Sequence, residues 1–135
     1  MGESVRGIDR EVLNLILHAS RSTHPDEFAG VLRARRGVIS EVLFLPGTLS
    51  SRGSAVMRLH TMPIDPGACG TVHSHPSSST EPSEADLVLF RKFGAVHIVV
   101  AYPYDETSWQ AYDHKGNKVS LEVVEGAAGE GDGWR

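Results

Sequence analysis

The sequence predicts an α/β fold, a mixed β-sheet sandwiched by helices, and three observations carry that expectation. Apolar residues recur at helical spacing behind Asp9 and again behind Ser83, both good helix caps. Around these stretches lie short runs rich in Val, Ile, Phe and Tyr, each bounded by Gly, Pro or polar turn residues, as strands are. One such run, residues 96–102, is almost wholly apolar, which suits a strand covered on both faces.

Taken in order, Asp9 caps a first helix in which Val12, Leu13, Ile16 and Leu17 form the apolar stripe, with Leu15 beside it. His24-Pro25 ends it, because the residue before proline avoids the α region. Residues 27–34 read as a strand, Arg36-Gly37 as a hairpin turn, and residues 38–45 as the return strand, closed by Pro46-Gly47. The Ser/Gly-rich residues 48–53 suggest a mobile loop, residues 55–59 a short strand with an exposed edge, and residues 63–67 a turn or short helix. Residues 70–75 form a strand ending in His73-Ser74-His75, and residues 76–82 a loop. Ser83 then caps a helix over residues 84–93, burying Leu87, Leu89 and Phe90. After the central strand, residues 108–113 and 119–124 make a last hairpin around Lys115-Gly116-Asn117. The order αββ(β)βαβββ without repeats gives one domain over residues 1–125 and a flexible Gly-rich tail over 126–135.

Size and charge narrow the function. A chain of 135 residues can bury a core without staples. Its 40% apolar and 22% charged residues are ordinary for a soluble protein, and a net charge of −4 without a basic face argues against nucleic acid as partner. Arg33, Arg35 and Arg36 read as a solvated hairpin tip. The single cysteine, Cys69, forms no internal disulfide and suits a reducing cytoplasm. Neither a signal peptide nor a membrane-spanning run is expected.

The chemistry concentrates in His73-Ser74-His75-Pro76 and Pro82-Ser83-Glu84-Ala85-Asp86. Histidines two apart share one face of a strand. Ser83 and Asp86, three apart, share the first turn of a helix. Joined, they bring two imidazoles and a carboxylate to one point, and three N/O ligands with an open position are what a catalytic zinc requires. Each residue also has a plainer reading. The histidines could be strand residues at the surface, and Ser83 and Asp86 could complete a capping box, which a metal-bound carboxylate is not expected to do freely. Cys69 lies about 13 Å from His73 along a regular strand, too far to share the ion. A hydrolase of this kind also needs a base for the proton of water. Glu27, held among apolar neighbours at a strand start, is the first choice, with Asp26, Glu81 and Glu84 competing. His18, His24, His60, His97 and His114 lack a partner at ligand spacing and read as structural or surface residues.

A glutamate ahead of a strand, then HxHP, then SxxD, resembles the JAMM (MPN-plus) metalloprotease family, with Glu27, His73, His75, Pro76, Ser83 and Asp86 as the matching residues. The likeness runs from about Asp9 to the hairpin near Gly116, and residues 103–112 also look like the small prokaryotic members. The resemblance implies a JAMM/MPN architecture, similar to cytidine deaminases, although the H-x-E…P-C-x-x-C pattern of those enzymes is absent, as is HExxH. It further implies His73, His75 and Asp86 as ligands of Zn2+, Glu27 as general base and Ser83 as oxyanion stabiliser. The implied activity is hydrolysis of an isopeptide or peptide bond after the C-terminal glycines of a ubiquitin-like modifier. A zinc peptidase acting on a sulfur-carrier protein terminus, and a non-catalytic MPN-type binding scaffold, stay open beside it. The implied partners are such conjugates, their extended tail pairing with an edge at residues 54–59, and a homodimer is allowed.

Overall fold

The first helix is set by one carboxylate. In the computed structural model, which describes residues 4–45, 59 and 66–126, Asp9 is extended (φ −64°, ψ 135°) and its side chain accepts from the Glu11 N–H at 3.1 Å. That satisfies an orphan donor of the first turn of α1 (Arg10–Thr23). Val12, Leu13, Ile16 and Leu17 form its buried face, while Leu15 is 52% exposed and stands outside the stripe. His24 closes the helix before Pro25, its N–H bonding the Ser20 carbonyl.

A short strand, β1 (Gly7–Asp9), precedes this helix. β2 (Ala29–Arg35) and β3 (Val38–Phe44) form the expected hairpin through Arg36 and Gly37, both at positive φ. β4 (Gly70–His75) ends in the two histidines, α2 (Glu84–Lys92) follows, and β5 (Val96–Ala101) is buried throughout. β6 (Trp109–Asp113), β7 (Lys118–Val119) and β8 (Glu122–Val124) complete one eight-stranded sheet in the order β7-β6-β5-β4-β2-β3-β1-β8.

The sheet is mixed and curled. β4 pairs antiparallel with β2 and parallel with β5, so the histidine strand is held along both edges. Gly70 permits this, since a Cβ there would lie 1.5 Å from the Val96 carbonyl oxygen. The two end strands, β7 and β8, are neighbours in sequence, with only Ser120 and Leu121 between them. Seven strand spacings laid flat would cover about 34 Å. Three residues of chain reach about 10 Å, so the sheet must bend round to bring its ends together.

Of the helices described in full, α1 covers one face and α2 the other, as the strand alternation dictates. One core joins Val12, Leu13, Ile16 and Leu17 of α1 to Leu32, Val72, Ile98 and Val100. The other joins Leu89 and Phe90 of α2 to Ala29, Val31 and Val99. Val72 faces α1, so His73 and His75, at the alternate positions of β4, face α2. That parity decides where the site lies.

Several expectations change. The return strand after Gly116 is broken: β7 pairs with β6, whereas β8 crosses to run parallel with β1. Strand β2 begins at Ala29, leaving Glu27 in the segment before it. Leu87 is half-buried, and Asp86 takes a place on the buried face of α2. Leu59 is helical and fully buried, so the strand expected over residues 55–59 does not extend to it. Its other residues, the loop at 48–53, most of 63–67 and all of the tail after 126 lie outside the described residues. Among those described, no helix is long and apolar enough to cross a membrane.

Candidate metal centre

Strand and helix supply the two halves of the site. His73 is fully buried and the His75 side chain 15% exposed, on the α2 face at the end of β4. Asp86 is brought to them by the helix cap. Ser83 Oγ accepts from the Asp86 N–H at 3.1 Å, and Asp86 Oδ2 accepts from the Ser83 N–H at 2.9 Å, a complete capping box. The capping box and the approach to both histidines coexist in this one carboxylate. A carboxylate has about four acceptor positions, enough for a cap N–H and a metal together.

The donor atoms cluster tightly, each histidine facing a different oxygen of the Asp86 carboxylate. His73 Nε2 lies 3.2 Å from His75 Nε2 and 3.2 Å from Asp86 Oδ1, and His75 Nε2 lies 3.0 Å from Asp86 Oδ2. Donors about 2.0–2.1 Å from a tetrahedral zinc stand about 3.3 Å apart. Each of these donor pairs therefore stands at zinc spacing, and two imidazoles with one carboxylate fit the ion in chemistry. Among the described residues, His73, His75 and Asp86 form a group able to hold a metal ion.

Protons are arranged to match. His75 Nδ1 sits 3.0 Å from the Ser79 carbonyl and donates to it, which turns Nε2 inward, where it meets Asp86 Oδ2 at 3.0 Å and would offer its lone pair to a metal on losing its proton. Burial opposes the Asp86 charge, but hydrogen bonds from His73 and His75 and from the Ser83 N–H hold its carboxyl well below the usual range. Burial likewise opposes charge on His75, yet the hydrogen bonds to Asp86 and Ser79 and the charges of Asp86 and Glu27 raise its proton affinity. His73 Nδ1 is buried with no hydrogen-bond partner among the described residues.

Glu27 arrives by strand register. Ala29 pairs with His73, and the Ser74 N–H bonds the Phe28 carbonyl at 2.9 Å, so the antiparallel count carries Glu27 to the position opposite His75. Directly opposed residues share a face. Its charge acts on both His75 and Tyr104, and its Oε1 is buried without a partner among the described residues. Of its competitors, Glu81 and Glu84 are exposed, Glu81 pairing with Lys118 at 3.8 Å. Asp26 belongs to the turn after α1, its N–H bonding the Thr23 carbonyl.

Two contributors left no mark in the sequence. The buried Tyr104, at φ 65°, donates its hydroxyl to the His75 carbonyl at 2.8 Å. His24 Nδ1 lies 2.9 Å from that hydroxyl, so His24 supports the site indirectly. Ser74 is fully buried between the two site histidines. Of the other histidines, His18 and His114 are exposed and His60 lies outside the described residues. His97 is structural, stacked on Phe90 at 4.5 Å and bonded to Thr71 at 2.7 Å. Cys69 is half-buried at the other end of β4, and burial pushes its thiol up to about 11, leaving little thiolate for a metal.

Known proteins resemble this chain in sequence and fold. Residues 9–113 match the family described as prokaryotic homologs of the JAB domain. A probable metalloprotease of Haloferax volcanii is 40% identical over 131 residues, covering 90% of this chain and 81% of that protein. A solved JAB1/MPN domain protein from Archaeoglobus fulgidus is 46% identical with a TM-score of 0.73, covering 91% of this chain and all of that one. A second solved structure, described as the JAMM metalloprotease-like zinc site of the proteasome and signalosome, is 45% identical with a TM-score of 0.73. It covers 90% of this chain and all of that one. A curled mixed sheet with a helix on each face, a His-His-Asp cluster whose donor pairs stand at zinc spacing, and these likenesses lead to one assignment: the chain belongs to the JAB/MPN family and is a zinc metalloprotease of the JAMM type.

Proposed function

We propose that the protein is an isopeptidase that hydrolyses the bond after the C-terminal glycines of a ubiquitin-like modifier, with His73, His75 and Asp86 as zinc ligands and Glu27 as general base. One observation carries the reading: a buried carboxylate oxygen of Glu27 has no hydrogen-bond partner among the described residues and lies on the face that presents the donor cluster. An unpaired buried carboxylate oxygen is costly and is kept where a proton must be received.

Bound zinc supplies a Lewis acid that polarises a carbonyl and makes water acidic near neutral pH. The remaining work falls to side chains. Glu27 takes the proton from the attacking water and hands it to the departing amine, so one group serves as base and then as acid. Ser83 Oγ accepts the Asp86 N–H as a cap, which fixes its orientation while its own proton stays available. That proton is donated to the oxygen on which charge develops, the term that most strongly stabilises acyl-transfer transition states.

Access supports the substrate class. Among the described residues, the His73 and Asp86 side chains are closed to solvent and the His75 side chain is 15% exposed, while Ser83 is exposed. So little exposed donor surface suits a thin, extended tail of small residues better than a folded surface. The lone, poorly ionised Cys69 suits a cytoplasmic setting.

The test offers purified protein a panel of conjugates ending in Gly-Gly, joined to a lysine ε-amine, to cysteine or to a small amine. Chelator-sensitive release, with the highest kcat/KM on the lysine-linked conjugate, is the expected result. Faster release of cysteine or the small amine would transfer the function to sulfur-carrier processing. Tight conjugate binding without cleavage would leave a scaffold.

A further inference from the structure

We infer that Ser74, the residue between the two histidines, is a positioning residue that locks Glu27 in register with the metal-binding strand. The inference rests on the base role of Glu27 proposed above. Ser74 is fully buried in the middle of the sheet, where an apolar side chain would be the ordinary choice. A buried hydroxyl needs a hydrogen-bond partner. It finds one in the Phe28 N–H, at 2.8 Å.

The bond is unusual in its place. The Ser74 N–H already donates to the Phe28 carbonyl at 2.9 Å. In a regular antiparallel pair the Phe28 N–H would return to the Ser74 carbonyl. Here the side-chain oxygen takes that bond, so both polar groups of the Phe28 backbone are held by one residue just as the chain leaves β2. The peptide joining Glu27 to Phe28 is planar and includes the Glu27 Cα. Fixing the Phe28 N–H therefore fixes the plane from which the Glu27 side chain springs.

Phe28 is anchored a second time through its ring, which is buried in the α1-side core and meets Phe44 edge-on at 5.3 Å. The ring sets one face of the strand entrance and the Ser74 clasp sets its height. Because Ser74 lies between His73 and His75, the same residue references the base to both nitrogen donors. A base displaced by about 1 Å can lose two orders of magnitude in rate, so this clasp acts on turnover without touching substrate.

Ser74→Ala and Ser74→Thr test it with readouts that do not all depend on activity. The first is metal content at equilibrium. The second is the paramagnetic shift of the Glu27 carboxyl carbon in protein loaded with Co2+ and labelled at glutamate, assigned by its loss in Glu27→Gln. The third is the split between kcat and KM on a cleaved conjugate. Ser74→Ala is expected to keep full metal content, to move the Glu27 resonance, and to lower kcat about 10- to 100-fold with KM within about twofold. Ser74→Thr, which keeps the hydroxyl, should restore the resonance and most of kcat. If Ser74→Ala proves too unstable to purify, Ser74→Cys, a weak acceptor, takes its place with a partial effect expected. An unmoved Glu27 resonance overturns the inference, as does loss of metal, which would make Ser74 a support of the ligands instead. A moved resonance in a protein that cleaves none of the conjugates would sink the proposed activity and leave the clasp standing.

Discussion

At the scale of single residues, Glu27 can be changed with little structural consequence, because one of its carboxylate oxygens already has no partner among the described residues. Glu27→Gln keeps size and removes the base. It should retain one zinc per chain and near-native thermal stability while kcat falls about 10²- to 10⁴-fold; metal analysis beside steady-state kinetics checks both. His97 gives a different signature. Burial, together with the charges of His73 and His114, lowers its pKa to about 4 against backbone hydrogen bonds that raise it. The unfolded chain binds a proton at about 6.5 and the folded one does so only near 4, so stability is full above neutrality and is lost as pH falls through that window. The full difference approaches about 3 kcal/mol. Denaturant titrations of metal-free protein should show this loss between pH 6.5 and 4, and His97→Gln should flatten its share of the slope. His73, His75 and Asp86 were legible as a candidate metal group because ligand chemistry demands those side chains at those spacings, whereas spacing could not rank Glu27 above Asp26, Glu81 and Glu84. Ser74 and Tyr104 were not legible, because each acts through a main-chain bond to a distant segment, which leaves no pattern along the chain.

At the scale of elements, β4 carries the site and depends on its first residue. Any side chain at Gly70 would meet the Val96 main chain, which cannot move aside without opening the β4–β5 pairing. Gly70→Ala is expected to cost about 3 kcal/mol or more, at the upper end for single substitutions, and to weaken zinc binding with it; thermal denaturation with and without zinc measures both. β4, α1 and the β2–β3 hairpin were readable because each is set by local signals: Asp9 and Pro25 around α1, Arg36-Gly37 in the hairpin, Pro76 after β4. β1 and β8 were not. Each is three residues long and exists only by parallel pairing with a segment far away in sequence. The alternation through 119–124 resembled one return strand, but its two halves serve opposite ends of the sheet.

At the scale of the whole molecule, the metal ties a central strand to the helix on one face. An ion bound only by the folded state adds about 2.7 kcal/mol at a hundredfold excess over its Kd. In a chain of this size that raises Tm by about 10 °C. Zinc titration followed by thermal denaturation should show the rise in the wild type and none in Asp86→Ala. The sheet's curl, by contrast, was invisible in the sequence, since it follows from where β7 and β8 end and from no residue within them. The central claim is that His73, His75 and Asp86 hold one zinc ion. X-ray absorption at the zinc edge of the loaded protein tests it most directly. A single shell of nitrogen and oxygen at about 2.0–2.1 Å with two imidazoles is the expected result. A sulfur at about 2.3 Å, or a third imidazole, would contradict it.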